Sequence, residues 1–419
     1  MVTPGAGTES TASDAAGVTS SSSRSHSIAA DRGWPRANSG RTHADPGPIL
    51  APSGLPPVGV DPELGVPVYV TVDRTLRVKV TDACGMACVF CHNEGTPVVI
   101  DNRGAMPGDY AGVGRSGRVS IYVGSNGARF LPDMVVPNEE FASVLSTLRA
   151  SVGVAELHLT GGEPTLHPQL HEVIRLARST GYEVRMTSNG ENGSRMLPAC
   201  AAAGLERVNF SVFGTTADEL ARVQHPKVAG RHRVERRISA LRRSVRTALD
   251  LGLKVSANIV VPDVDHAPRV RRLLTEYAEE VTVRLLPSLD AGRSSIIAIE
   301  SILTDLGAVP TALHFTAGAS DYSTSYRLLS GQIVCFKRIR PVRLPRTCTG
   351  CRFNNDTDCQ EGFYGLRLYR DRAGGYQVGV CIQRMDLCLP LQQFLASELG
   401  KEIVGLRDAD RRELCSAYQ

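Results

Sequence analysis

The chain has 419 residues, 42% hydrophobic and 21% charged, with a formal net charge of +4. That length allows a large core plus a second module, and so small an excess of basic residues does not call for nucleic acid as a partner. No apolar run approaches a membrane span and no apolar signal core opens the chain, so the reading expects a cytoplasmic protein with no membrane partner. Eleven cysteines in such a chain point to metal ligation rather than disulfides.

Residues 1–60 are rich in Ser, Ala, Gly and Pro and cannot bury enough surface to offset ordering, which predicts a disordered tail that includes Trp34. From residue 68 the pattern changes to alternating strands and helices. Residues 69–80 read as a strand or hairpin entering a cysteine loop. Residues 95–137 do not fit the repeat; they read as a lid, a substrate loop or a passive insertion, with a possible short strand at 119–123. Apolar periodicity then predicts a helix at 139–150, a strand at 156–160, a helix at 167–179 and a strand at 183–187. A short helix at 196–203, a strand at 207–213, a helix at 234–251 and a strand at 254–261 follow. A helix at 268–279 and a strand at 281–286 complete the last unit. Repeated units of this length predict an α/β fold with parallel strands and outer helices.

Chemistry is concentrated at the ends of these strands. Cys84, Cys88 and Cys91 form a C-x3-C-x2-C loop with no fourth cysteine nearby. An iron–sulfur cube takes four ligands, one per iron, so three local thiolates predict a cube with one open iron. Zinc with His92 as the fourth ligand is the competing reading. Downstream, His158-Leu-Thr-Gly161-Gly162-Glu163-Pro164 closes an apolar strand. An ordinary strand-to-helix turn is the alternative there, as a simple Asn-Gly turn is for Ser188-Asn189-Gly190. The helix around 231–246 carries seven arginines, read as a solvated basic face, with attraction of a phosphorylated substrate or an acidic electron donor as the alternative.

The cysteine loop, with Phe90 before its third cysteine, and the Gly161-Gly162-Glu163-Pro164 segment resemble the two signatures of the radical S-adenosylmethionine (SAM) superfamily. The resemblance implies a partial (β/α)6 barrel over 68–300, with a [4Fe-4S] cluster on Cys84, Cys88 and Cys91. It implies reductive cleavage of SAM to a 5′-deoxyadenosyl radical, and a reducing donor such as flavodoxin or ferredoxin. Phe90 would lie beside adenine, and Gly161, Gly162, Glu163 and Pro164 would hold the methionine amine. Ser188 and Asn189 would lie near sugar and carboxylate, Ser211 near the carboxylate, and Asn258 near the ribose.

Past residue 300 the rhythm fades and cysteines return, at Cys348, Cys351, Cys359 and Cys381 around a predicted hairpin centred on Gly374-Gly375. This small C-terminal module, 301–419, resembles the twitch-type auxiliary cluster domain of the GTP 3′,8-cyclase (MoaA) family of molybdopterin biosynthesis. The resemblance implies a second [4Fe-4S] cluster on those four cysteines, with structural zinc as the alternative. Cys200, Cys335, Cys388 and Cys415 are read as non-ligands. Arg367 matches an arginine that meets the substrate phosphates in the cyclases, and Gly365 stands where they carry a second. The chain ends without the Gly-Gly tail of the cyclases. These features predict hydrogen abstraction from a nucleotide or nucleoside in a specialised pathway. GTP cyclisation, peptide modification and a non-enzymatic electron carrier or redox sensor are the alternatives.

Overall fold

The computed structural model describes residues 55–277, 280–355 and 357–419. The expected tail, Trp34 included, lies outside them except for its last few residues, which contain strand β1 (Gly59–Val60). Strands β2 (Pro67–Val72) and β3 (Thr75–Thr81) follow, then helix α1 (Val99–Asn102) and strand β4 (Pro132–Asp133). The repeating units begin with α2 (Glu139–Val152), β5 (Glu156–Gly161), α3 (Leu170–Ser179), β6 (Glu183–Ser188), α4 (Gly193–Ala202) and β7 (Leu205–Ser211). They continue through α5 (Ala217–Arg222), α6 (Arg231–Asp250), β8 (Lys254–Val261), α7 (Ala267–Tyr277), β9 (Thr282–Pro287) and α8 (Arg293–Asp305).

Strands β3, β5, β6, β7, β8 and β9 lie side by side in that order, each parallel to the next. This is the expected barrel wall of six parallel strands. Alternation along each strand divides its residues between two environments. Leu76, Val78, Leu157, Leu159, Val184, Met186, Val208, Phe210, Ala257, Ile259, Val283 and Leu285 are buried in the core beneath the helices. Helix α2 shows how the outer layer is built. The Asn138 side chain caps it by accepting from the Phe141 N–H at 3.0 Å, and Phe141, Val144, Leu145 and Leu148 face the sheet.

Two features depart from the sequence reading. Residues 69–80 are not a hairpin, because β2 pairs with β10 (Val309–Ala317) rather than with β3. Strands β11 (Asp321–Arg327) and β12 (Ile333–Ile339) then continue the sheet from β10 to β9. Only Asp73 and Arg74 separate β2 from β3. Three Cα steps span at most about 11 Å. The far edge of the sheet therefore comes back beside β3, and the wall curls round an interior. The C-terminal residues join the same sheet at both of its edges. While β10–β12 extend one edge, β13 (Leu366–Asp371) adds parallel to β3 on the other. Strand β14 (Tyr376–Gly379) pairs antiparallel with β13, as the predicted hairpin, and β15 (Leu389–Pro390) follows it. Helices α9 (Leu391–Ala396) and α10 (Leu399–Ala417) close the chain. The possible strand at 119–123 is instead a single bridge residue followed by turns. The polar groups there, such as the Ser120 hydroxyl, bond to neighbouring loops rather than to a ladder.

Candidate active site

Strand β3 delivers the cysteine loop to the end of the barrel wall, and a mostly buried carboxylate anchors it. Asp82 Oδ1 accepts from Lys79 Nζ at 2.8 Å and from Asn93 Nδ2 at 3.0 Å. Its Oδ2 accepts from the Val99 N–H at 2.9 Å and from Arg118 Nη1 at 3.0 Å. Burial alone would raise the Asp82 pKa, but Lys79 and Arg118 outweigh it and hold the group at about 2. Arg118 comes from the 95–137 segment, whose other polar groups do the same work. Ser120 Oγ donates to the Thr96 carbonyl at 2.8 Å, and the Ile121 N–H donates to the Cys91 carbonyl at 3.0 Å. Asn126 Nδ2 reaches both the Gly95 carbonyl at 2.7 Å and the Ile382 carbonyl at 3.0 Å. Of the roles open to this segment, the observed contacts are those of a brace between the cysteine loop and the C-terminal residues.

Behind Cys91 the backbone turns sharply. Asn93 (φ 47°) and Glu94 (φ 54°) both sit in the left-handed region, which costs a non-glycine residue about 1–3 kcal/mol. The turn is clamped from β13. Arg367 Nε donates to Glu94 Oε2 at 3.2 Å, and the Tyr369 hydroxyl donates to the Glu94 carbonyl at 2.9 Å. Burial would raise the Glu94 pKa, but Arg367, His92 and Arg77 bring it down to about 2. Arg367, expected at the substrate, is only 4% exposed and has an intramolecular partner. At Gly365 φ is +92°, and a Cβ there would stand 3.1 Å from Asp73 Oδ2. An arginine would be strained at that position whatever the substrate.

The Gly161–Pro164 segment packs directly on the cysteine loop. A Cβ on Gly161 would meet the Thr81 carbonyl oxygen at 2.5 Å, and one on Gly162 would meet that of Ala83 at 2.3 Å. Both glycines are required by this approach of backbone to backbone. The Gly162 N–H donates to the Thr81 carbonyl at 2.8 Å, and that of Glu163 to Ala83 at 2.7 Å. Glu163 is buried, and its carboxylate is occupied within the chain. It accepts from the Thr165 hydroxyl at 2.6 Å, the Ser188 hydroxyl at 2.7 Å and the Asn189 N–H at 2.6 Å. The observed work of Glu163 and Ser188 is thus to join two strand ends, with Pro164 starting the short turn that follows.

Two amides reach the cysteine sulfurs. Gln224 Nε2 donates to Cys88 Sγ at 3.1 Å while its Oε1 accepts from the Ala87 N–H at 3.0 Å. Asn189 Nδ2 stands 3.7 Å from Cys84 Sγ. Burial raises all three thiol pKa values, that of Cys88 to about 12. The metal-free thiols are thus neutral near pH 7, and metal ligation has to displace their protons. Phe90 is 38% exposed at the rim, its ring 5.4 Å from that of Phe213. Ser211 and Asn258 are register partners on β7 and β8, and Asn258 Oδ1 is buried without a partner. No three His, Cys, Asp or Glu side chains among the described residues gather closely enough to hold a single metal ion. A cube needs one thiolate per iron rather than several on one ion, so three thiols on one loop fit a cluster, and the unpartnered Asn258 Oδ1 on the strand-end side fits a polar ligand.

At the C-terminal end, Cys348, Cys351, Cys359 and Cys381 all line one apolar cavity with Leu344 and Phe363. Arg384 Nη1 donates to Cys351 Sγ at 3.3 Å. Cys335 and Cys388 do not line it. Four thiols facing a common space fit a second metal group.

The sequence reading missed the barrel interior. Neighbouring parallel strands put register partners on the same face. The pairs Arg367 with Arg77, Arg77 with His158, His158 with Arg185, and Arg185 with Arg207 run round the wall opposite the core face. Arg284 on β9 and Lys337 on β12 alternate with core residues in the same way. Arg77 and Lys337 each stand 4.7 Å from the centre of the Tyr364 ring. Burial and then this cationic surrounding push His158 well below its usual pKa, so it is neutral at pH 7. Asp321 is drawn the other way, its burial outweighed by Lys337, Arg77, Arg284 and Arg185. The interior is an anion-attracting space. The available signal was basic residues at alternate positions of apolar strands, as in Thr75-Leu-Arg77-Val-Lys79.

Residues 78–274 match the model of the radical SAM superfamily. A probable GTP 3′,8-cyclase of Metallosphaera sedula is 26% identical over 306 residues, covering 71% of this chain and 81% of that protein. The GTP 3′,8-cyclase of Chlorobaculum tepidum is 30% identical over 221 residues, 52% of this chain and 53% of its own length. Among solved structures, Streptococcus suis SuiB aligns at 12% identity with a TM-score of 0.37, covering 58% of this chain and 50% of its own. No helix among the described residues is long and apolar enough to cross a membrane. With its matched domain and its similarity to the cyclases, the chain is a radical SAM enzyme.

Proposed function

We propose that the chain abstracts hydrogen from an anionic nucleotide or nucleoside derivative held inside the barrel. The observation that carries this is the belt of Arg77, Arg185, Arg207, Arg284 and Lys337, whose cations outnumber the two acids paired with it, Glu156 at 3.0 Å from Arg185 and Asp321 at 3.6 Å from Lys337. In this reading Cys84, Cys88 and Cys91 hold a [4Fe-4S] cluster that, when bound with SAM, supplies a 5′-deoxyadenosyl radical. Backbone groups of Gly161–Glu163, with Ser211 and Asn258, orient the methionine and ribose ends of SAM. Phe90 offers its exposed face to the adenine. Glu163 and Ser188 act as positioning residues, since their polar groups are used in fixing Asn189. The arginines attract and orient the substrate anion, which guanidinium groups do through paired hydrogen bonds.

Cys348, Cys351, Cys359 and Cys381 are the ligands we assign to a second four-iron cluster. Anaerobic reconstitution should then give about eight irons per chain. Zinc at that site would decide for a structural role instead.

The names of the relatives favour GTP as the substrate. Arg367, buried and held by Glu94 rather than free for a phosphate, favours a different or smaller anion. The decisive experiment incubates reduced, reconstituted enzyme and SAM with a panel of nucleotides and nucleosides. Mass spectrometry then follows deuterium transfer from labelled substrate into 5′-deoxyadenosine. Transfer from an anionic nucleotide other than GTP is expected. Efficient GTP cyclisation would overturn the specificity, and transfer only from uncharged compounds or peptides would overturn the substrate class.

A further inference from the structure

On the outer side of the cysteine loop lies an open cleft lined by Gly85, Glu191, Arg233, Arg236, Arg237, Ala240 and Arg243. Gly85 sits between Cys84 and Cys88, so the cleft wall is the cysteine loop itself. The four arginines share one side of α6, at spacings of three, four and seven residues. The opposite side is buried through Val234, Ile238, Leu241 and Val245. Other charges on this helix are neutralised locally, since Arg231 pairs with Glu235 and Arg246 with Asp250. Among the described residues, none of the four cleft arginines forms an ion pair. Arg237, half-buried, is near enough to Cys84 and Cys88 to interact with them electrostatically. The one acid in the cleft, Glu191, is partly occupied, its Oε1 accepting from the Gly85 N–H at 2.8 Å. A solvated helix face needs no such concentration of unpaired charge against a redox loop.

We propose that this cleft docks an acidic electron-donor protein, a flavodoxin or ferredoxin, and that the electron for SAM cleavage enters here. The inference rests on the reading that Cys84, Cys88 and Cys91 carry a cluster. The donor's reduced flavin or iron–sulfur centre loses one electron and the cluster on the three cysteines gains it, with no bond made or broken at that step. Charge complementarity commits the cleft to an acidic partner. Unpaired arginines on one side of a helix steer such a partner toward the loop and raise the association rate by about 10–10³-fold at low salt. The barrel interior has its own cationic lining for the substrate, which leaves this outer charge without a role in substrate binding.

The test compares the wild type with the triple variant Arg233→Glu, Arg236→Glu, Arg243→Glu, which spares Arg237 beside the thiols. The readout is 5′-deoxyadenosine formation driven either by reduced flavodoxin or by dithionite, a small reductant that needs no docking. With flavodoxin the variant should lose at least about tenfold in rate, and the wild-type rate should fall steeply as salt is raised. With dithionite the two proteins should match. Calorimetric titration with oxidised flavodoxin should show binding to the wild type at low salt and none to the variant, whether or not SAM is cleaved. Equal flavodoxin-driven rates or equal binding would overturn the docking site, as would an equal loss with dithionite or a loss of substrate affinity. Failure of the wild type to cleave SAM with dithionite would sink the cluster reading, and the titration would still decide the docking.

Discussion

The two cysteine groups are supported in opposite ways. The loop of Cys84, Cys88 and Cys91 is fixed from outside by side chains far away in sequence. Arg118 and Asn126, Asn189, Gln224 and Arg367 reach it or its flanking turn from four other segments of the chain. The group of Cys348, Cys351, Cys359 and Cys381 lines an apolar cavity, and its first three members are tied by short-range backbone bonds. The Cys348 N–H donates to Leu344, that of Cys351 to Cys348 and that of Cys359 to Asn355. Arg384 is the one side chain seen donating to a sulfur there among the described residues. A polar, long-range scaffold ties the first site to the integrity of the barrel. The second site has less such support, with Glu402 holding the turn before Cys348 and Arg343 the Cys359 carbonyl, and leans more on its own cysteines and on the hairpin that returns Cys381.

The strongest way to break this comparison is to remove one ligand set. Cys84→Ala, Cys88→Ala and Cys91→Ala together should abolish 5′-deoxyadenosine formation and leave about four irons per chain. If the triple variant still cleaves SAM after chemical reduction, the first assignment is wrong. Next in size is Asp82→Ala, which strands Lys79 and Arg118 without their carboxylate. Breaking a buried pair this way costs about 3–5 kcal/mol. The urea midpoint of the metal-free protein should fall accordingly, and an unchanged midpoint would show that the loop does not depend on this anchor.

How much of this was legible follows from the same contrast. The three-cysteine loop could be read because its cysteines lie within eight residues of each other, and the C-terminal set because a Gly-Gly hairpin brings Cys381 back. Six parallel strands were legible from periodicity. The hairpin alternative at β2 and β3 carried a warning, since the link Asp73-Arg74 lacks the glycine that two-residue hairpin turns favour. Sequence spacing gave no sign of Gln224, which meets Cys88 from 136 positions away. Arg367 was singled out for its hairpin, but its partner Glu94 lies 273 positions earlier. A contact of that separation exists only once β13 has docked beside β3.

The Glu94–Arg367 pair tests whether the first site reaches into the C-terminal residues. In the metal-free protein, Glu94→Gln and Arg367→Met should each destabilise, and the double variant should lose less than the sum. A coupling of about 2 kcal/mol is expected for a buried pair. The pH dependence follows from the depressed Glu94 pKa, about 2 against an ordinary 4.5. Its stabilising effect is fully present above about pH 4.5 and fades as pH falls toward 2. Glu94→Gln should flatten that part of the stability profile. Additive effects with no change in profile would mean that the two residues act separately.

The smallest expected effect concerns Gln224, and it separates the sites most finely. A cluster gains negative charge on reduction, so an amide N–H directed at a ligand sulfur favours the reduced state and raises the potential. Gln224→Leu removes that donor while keeping a side chain of similar bulk. The first cluster should then become harder to reduce by roughly 50 mV, close to the 59 mV of a tenfold change in a one-electron equilibrium. The Cys348, Cys351, Cys359 and Cys381 site, which Gln224 does not touch, should keep its potential. Redox titration followed by electron paramagnetic resonance reads both centres in one sample. Gln224→Glu is the sharper comparison, since a carboxylate beside Cys88 loses the donor and adds negative charge, so it should lower the potential further than leucine does. A shift of both centres together would mean that the substitution had loosened the barrel rather than one hydrogen bond. No shift in either variant would show that the 3.1 Å contact to Cys88 Sγ does not persist once the sulfur is ligated.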